Sequence, residues 1–294
     1  MRVTPSKLSL QRVAWGATAA LLFGPSALIA WRCYRSASAA AFHPPKAPLR
    51  RPDGFAKLRD VSLGAGLRGW YADSRDGAAI IVTHGTAADR SMLVPEARAL
   101  NQAGLGVLLF DWPGHGESAG EVHWAAAERL ALRSALEFVT AQPDVDPSRI
   151  GLFAFSMGAY VAAQVAPDEP RFRALALAGA PTTINEVARW QYGKWGPIGY
   201  VPARLAFERG GLQPDFDLRR AVRRIAPRPL LIATGAHDTI VPVRMTSQLY
   251  DAASSPKEFY LSPRAGHGHY VENDPDFAGV LASYFTRHLG AAAR

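Results

Sequence analysis

The sequence predicts an α/β fold, a mostly parallel sheet covered by helices on both faces, and three observations carry that expectation. Short apolar runs alternate with longer runs of helical periodicity along most of the chain. The apolar runs are nearly continuous, as expected of parallel strands buried on both sides. At 294 residues and 48% hydrophobic content, the chain is long enough for one such domain with a large core plus an appendage.

The elements follow in order. Residues 57–63 and 67–71 read as an opening antiparallel pair, joined at Gly64-Ala65-Gly66, where glycines favour a turn. Residues 79–83 form a buried strand, followed by a helix over 92–103 and a second buried strand over 107–111. Helical periodicity returns over 124–140. A strand from Ile150 leads into a helix from Ala159, then strands follow at 174–177, 230–234 and 258–261, and a last helix at 276–288. About fifty residues separate the strand at 174 from the strand at 230, far more than an ordinary connection needs. That excursion, set at 182–227, reads as a small helical cap. It holds Trp190, Tyr192, Trp195, Tyr200 and Phe207, and Trp190, Trp195 and Tyr200 are expected to line an apolar pocket for an acyl group.

Charge is distributed unevenly. Eight of the 33 basic residues lie in the first 52 positions, which hold no Asp or Glu, so the remainder of the chain carries 25 of each sign. The net charge of +8 therefore belongs to the N-terminal segment and does not mark a nucleic-acid-binding surface on the domain. Arg219, Arg220, Arg223 and Arg224 recur on one side of a helix and read as a solvated face.

Residues 13–31 contain no charged side chain, and three basic residues precede them. This stretch is about long enough to span a bilayer, although Gly16, Gly24 and Pro25 moderate its hydropathy. Three readings stay open: an uncleaved single-pass anchor, which places the protein at a membrane, a secretory signal with Ala37-Ser38-Ala39 as its cleavage site, or a buried helix. The expected organisation is an anchor or signal over residues 1–35, a proline-rich linker over 36–54 and one domain over 55–294. The single cysteine, Cys33, excludes an internal disulfide.

The chemistry concentrates at Phe153-Ala154-Phe155-Ser156-Met157-Gly158. A strand leads in and a helix leads out, so Ser156 sits at a sharp strand-to-helix elbow that exposes its hydroxyl and aims the Met157 amide at the same point. Backbone atoms crowd there, so the residues two before and two after Ser156 must be small; Gly158 and Ala154 satisfy this. A serine hydroxyl is a weak nucleophile without a base and an orienting acid. Asp238 follows one strand and His267 follows the last, and both fall on loops that converge at the carboxyl edge of such a sheet. His269 competes for the base, Glu186 is the fallback acid, His237 reads as a loop residue and Asp251 as a late-helix surface residue. No His/Cys/Asp cluster has metal-ligand spacing and no Gly-rich loop suits a phosphate, so neither metal nor cofactor is expected.

From about residue 57 onward the chain resembles the α/β-hydrolase superfamily. Four motifs carry the resemblance: His84-Gly85-Thr86, Asp111-Trp112-Pro113-Gly114-His115-Gly116-Glu117-Ser118, the Ser156 elbow and the Asp238/His267 loops. The likeness implies the α/β-hydrolase fold with a cap, and Thr86 as the second oxyanion donor beside Met157. Within these motifs, His84 and His115 read as residues that bond backbone at the turn edges, and Asp111 as one that ties its own turn. A serine rather than an aspartate at the elbow points away from dehalogenase or epoxide-hydrolase chemistry. The expected activity is cleavage of carboxylic esters, with a small-molecule or lipid-like acyl substrate. Thioesterase, aminopeptidase-like amidase and acyltransferase activities use the same three residues, and a non-catalytic binding protein shares the same fold.

Overall fold

The computed structural model describes residues 7–42, 44, 46, 49–55, 57–124 and 126–290, with helical side chains from residue 24 onward. Eight strands form one sheet: β1 (Arg59–Ser62), β2 (Arg68–Ala72), β3 (Ala79–Thr83), β4 (Gly106–Phe110), β5 (Ile150–Phe155), β6 (Phe172–Ala178), β7 (Leu230–Gly235) and β8 (Lys257–Ser262). Their order is β1-β2-β4-β3-β5-β6-β7-β8. The pairs β1/β2 and β2/β4 are antiparallel, and every pair from β4 to β8 is parallel. The expected α/β-hydrolase architecture is present.

The strands alternate their side chains between two apolar layers, as a period of two requires. Ala79 and Ile81 of β3, with Leu152 and Ala154 of β5, face one layer. Ile80 and Val82, with Phe153 and Phe155, face the other. Helices α3 (Ala126–Thr140) and α4 (Met157–Val165) belong to the first layer, and α2 (Val94–Gln102) and α10 (Asp276–Leu289) to the second. Phe153 is fully buried against Phe277 of α10. Truncating such a side chain to alanine costs about 3–5 kcal/mol.

The sheet order fixes where a site can form. Adjacent strands β3 and β5 send their following helices, α2 and α4, to opposite faces of the sheet. Their outgoing loops therefore separate and leave a crevice at the carboxyl ends.

Between β6 and β7 the cap comprises α5 (Ile184–Tyr192), α6 (Pro197–Arg209) and α7 (Leu218–Arg223). Thr183 caps α5 by accepting from the Glu186 amide at 3.0 Å, and Asp217 caps α7 by accepting from the Arg219 amide at 2.9 Å. The arginine-rich run around α7 divides. Arg219 and Arg224 make ion pairs with Asp217 and Asp168 at the surface. Arg228 is half-buried and donates to the carbonyls of Ala166, Glu169, Phe172 and Ile225. Helices α8 (Val243–Ala252) and α9 (Tyr270–Asn273) follow β7 and β8.

The N-terminal segment departs from its expected division. Helix α1 (Lys7–Phe42) runs through residues 36–42, which were expected to begin an extended linker, and packs along α6. The physical reason is a small-residue seam. Cys33, Ala37 and Ala41 recur every four residues and are buried, as are Ala203 and Ala206 of α6, so the two backbones can approach closely. The expectation of a membrane or signal segment rests chiefly on residues whose side chains lie outside the described ones. Among the described residues no helix is long and apolar enough to cross a membrane.

Glu96, on α2, is buried in the second layer. Burial pushes its carboxyl up to about 7, and the like charge of Glu272 adds to the shift. A carboxyl whose folded-state value lies above its unfolded one resists ionisation, so its contribution to stability is lost as pH rises from about 4.5 to about 7. Glu96→Gln removes that ionisation. Its stability relative to the parent protein, measured by denaturant melts, should be nearly level below pH 4 and increase by roughly 3 kcal/mol by pH 8.

Candidate active site

Ser156 sits where β5 becomes α4, with φ 54° and ψ −114°. Such a conformation costs a non-glycine residue on the order of 1–3 kcal/mol and persists only when its surroundings dictate it. Here the Ser156 amide donates to Ala178 O at 2.9 Å, and Ser156 O accepts from the Tyr160 amide at 3.1 Å. Gly158 completes the constraint: a Cβ there would come within 2.5 Å of Thr83 Oγ1 and 2.8 Å of His84 O. Ala154, two residues before the serine, is fully buried between Thr83 and Leu177 on the flanking strands.

The loops after β7 and β8 bring Asp238 and His267 to this elbow, although they lie 82 and 111 positions further along the chain. His267 Nε2 lies 2.9 Å from Ser156 Oγ, and His267 Nδ1 lies 2.7 Å from Asp238 Oδ2. The Asp238 side chain is fully buried, and its second oxygen accepts from the amides of Ile240 at 2.9 Å and Val241 at 2.7 Å. The carboxylate thus ties its own loop and fixes the imidazole with Nδ1–H toward itself, which leaves Nε2 free to accept the serine proton. His269 takes a left-handed backbone conformation and pairs with Glu272 at the surface. His237 and Asp251 are exposed. Glu186 is held by Thr182 and Arg219.

Thr86 and Met157 both border the cavity that Ser156 and His267 enter. Met157 is the first residue of α4, where an amide has no carbonyl partner within its own helix. The His84 ring accepts from the Trp112 amide at Nε2 and, through Nδ1, donates to Gly85 O at 2.8 Å. His115 packs edge-to-face on both His84 and Trp124, with ring centroids 5.1 Å apart in each pair. Burial pushes these rings down to about 4 for His84 and about 3 for His115, so both are neutral near pH 7.

Asp111 does more than tie its own turn. Its carboxylate accepts from the amides of Arg90 at 2.7 Å and Glu117 at 2.9 Å, and it pairs with the buried Arg90 guanidinium. Arg90 begins the turn after the Thr86 loop, so Asp111 also sets the path of that loop. An arginine in an otherwise unremarkable Asp89-Arg90-Ser91 carries no sequence signal for this role.

The pocket-lining expectation in the cap is corrected by the structure. Trp190 is 47% exposed and donates from Nε1 to Thr239 O at 2.9 Å. Trp195 is 48% exposed, and the Tyr200 hydroxyl donates to Asn185 Oδ1 at 2.5 Å. None of the three lines the cavity. Instead Ile184, Val187, Tyr192, Phe207 and Leu212 do so from the cap, and Ala40 and Ala41 from α1. Ile184 and Val187, with Gln191, recur as one helical face, which is the signal that could have located them. The cavity holds about 270 Å³ and its walls are mainly apolar.

A sheet of this order, with a serine at the elbow after β5 and a carboxylate and an imidazole on the loops after β7 and β8, is the α/β-hydrolase architecture. The family model described as "Serine aminopeptidase, S33" matches residues 74–206. Uncharacterized protein Rv2307c of Mycobacterium tuberculosis is 35% identical over 239 residues, covering 79% of this chain and 77% of its own. The chain belongs to the same α/β-hydrolase family as that protein. Protein bem46 of Schizosaccharomyces pombe is 25% identical, over 71% of this chain and 67% of its own. In fold, the chain is similar to the Pyrococcus furiosus esterase Pf2001, with a TM-score of 0.71 and 22% identity over 85% of this chain and 98% of that one.

The close approach at Gly158 makes a specific prediction. Gly158→Ala should leave a folded protein with a displaced Ser156, and the rate of its labelling by a fluorophosphonate should fall by about 10²-fold. An unchanged labelling rate would show that the elbow tolerates the methyl group.

Proposed function

We propose that the protein hydrolyses carboxylic esters through an acyl-enzyme formed on Ser156. The single observation that carries this reading is the continuous Ser156–His267–Asp238 hydrogen-bonded chain, at 2.9 and 2.7 Å, opening into an apolar cavity. Ser156 Oγ attacks the ester carbonyl while His267 Nε2 takes its proton. The amides of Thr86 and Met157 stabilise the oxyanion. Collapse of the tetrahedral intermediate expels the alcohol, which receives the proton from His267. Water, deprotonated by His267, then attacks the acyl-enzyme, and its collapse returns the proton to Ser156 and releases the carboxylic acid. Asp238 holds the imidazole orientation and stabilises the imidazolium throughout.

The name of the matching family model raises a second reading, removal of amino-terminal residues from peptides. That chemistry calls for an acidic group to receive the substrate ammonium. Neither Glu186 nor Asp215 of the cap lines the cavity, and both are engaged elsewhere: Glu186 with Thr182 and Arg219, and Asp215 with Asn185 and Arg204. This favours esters. The uncharged run at residues 13–31 supports the further proposal that the full chain is tethered to a membrane.

Two measurements test the reading. A fluorophosphonate should label the full-length protein and short acyl nitrophenyl esters should be turned over; Ser156→Ala should abolish both, and labelling that persists in the variant overturns the assignment. Asp238→Asn should retain the fold and lose about 10⁴-fold in kcat, because the amide no longer enforces the productive imidazole tautomer. Turnover of aminoacyl nitroanilides in preference to esters would instead select the peptidase reading. Sedimentation of the full chain with membranes, resistant to salt and released by detergent, is the expected result for the tether.

A further inference from the structure

One wall of the cavity beside Ser156 comes from outside the sheet and its cap. Ala40 and Ala41, in the last turn of α1, line it together with Thr86, Ala87, Phe207 and Leu212. The helix is fixed there at several points. Trp124 Nε1 donates to Ala41 O at 2.8 Å. Trp124 is fully buried in an aromatic stack with Trp112 and His115, so this anchor belongs to the rigid core. The Tyr192 hydroxyl donates to Ser36 Oγ at 3.3 Å, and the Phe42 ring lies directly against Gly210 at the end of α6. Ala37 and Ala41 are buried in the α6 seam, whereas Ala40 remains exposed on the cavity side.

We propose that the last turn of α1 is a substrate-binding element, with Ala40 and Ala41 bounding the acyl chain of the ester. The proposal rests on the ester-hydrolase reading of Ser156. At about 270 Å³ the cavity lies just below the ~300–1,000 Å³ typical of sites for drug-sized ligands. Apolar walls of that size suit a short to medium linear acyl chain. Alanine at both positions keeps the volume available, because any larger side chain there projects into the space the chain occupies. The element that reaches the domain first in sequence thereby sets the length of acyl group that the elbow can receive.

The test is a graded series at Ala40 in the full-length protein, Ala40→Val and Ala40→Leu, assayed on nitrophenyl esters from acetate to decanoate. Ala40 is exposed, so larger side chains enter without repacking the α1–α6 seam. Each kcat/KM is read relative to that on the acetate, so that any general loss of catalysis cancels. The longest ester that the parent protein accepts should lose ~10–200-fold, the discrimination one or a few methylenes supply in an apolar pocket. Ala41→Leu serves as the second variant, with melting temperature and fluorophosphonate labelling rate reporting its fold. Chain-length profiles parallel to the parent in both Ala40 variants, with labelling intact, overturn the proposal and leave the catalytic reading standing. A parent protein that neither labels nor cleaves any ester refutes the catalytic reading itself.

Discussion

Everything at the site depends on how closely the carboxyl ends of β3 and β5 approach one another. Gly158, one turn into the elbow, faces Thr83 and the His84 carbonyl across a gap that leaves no room for a side chain. That contact presses the start of α4 against the end of β3, holds Ser156 in its strained conformation and sets Thr86 beside Met157. The sheet order makes such an approach productive. Because α2 and α4 leave to opposite faces, the backbones converge at one point and diverge immediately beyond it. Strain at Ser156 is therefore sustained by the hydrogen bond to Ala178 O and by packing on two neighbouring strands.

Burial sorts the ionisable groups into two kinds. His84 and His115 are enclosed, neutral and bonded to backbone, so they act as shaped polar struts beneath the loop that carries Thr86. His267 keeps 17% of its side chain accessible and faces a hydroxyl on one side and a carboxylate on the other. Asp111 and Arg90 are both buried, and each compensates a charge that would otherwise be stranded. Removing one partner of such a pair costs about 3–5 kcal/mol, far more than the pair contributes relative to an apolar replacement. Its value lies in geometry, because the carboxylate holds the Arg90 and Glu117 amides and so joins the loops after β3 and β4.

The fold and the Ser156 elbow were legible because their signals are local. Continuous apolar runs identify strands buried on both faces, and the small-x-Ser-x-Gly string reports its own crowding. Asp238 and His267 were legible by position, since each directly follows a strand and loops at that edge converge. The pocket was not, because aromatic residues in a cap announce burial or contact without saying against what. Trp190 illustrates this: its ring is half exposed, its Nε1 holds Thr239 O beside the acid, and Arg244 lies 5.3 Å from its ring. Tyr192 and Phe207 look the same in sequence and do line the cavity. The role of α1 was hidden for a different reason. An alanine at position 40 meets residues near 207 and 156 only through tertiary packing, and nothing in a linker-like sequence foretells that contact.

The seam between α1 and α6 links two properties that the sequence presents separately. The helix that carries the uncharged N-terminal run ends as a wall of the cavity; its 36 residues span about 54 Å at ~1.5 Å per residue, with Pro25 inside it removing one backbone hydrogen bond. A helix transmits displacement, so its last turn needs fixing independently of its first. The structure supplies this through the core indole of Trp124 on Ala41 O, the Tyr192 hydroxyl on Ser36 and close small-residue packing on α6. Side-chain contact alone would allow α1 to slide along α6, because alanine seams have little relief to resist it. The hydrogen bond to a main-chain carbonyl does resist it, since the Ala41 carbonyl cannot move without breaking a bond to a fully buried ring. Register between the N-terminal helix and the serine elbow is thus set by the core of the domain rather than by whatever holds the far end of the helix.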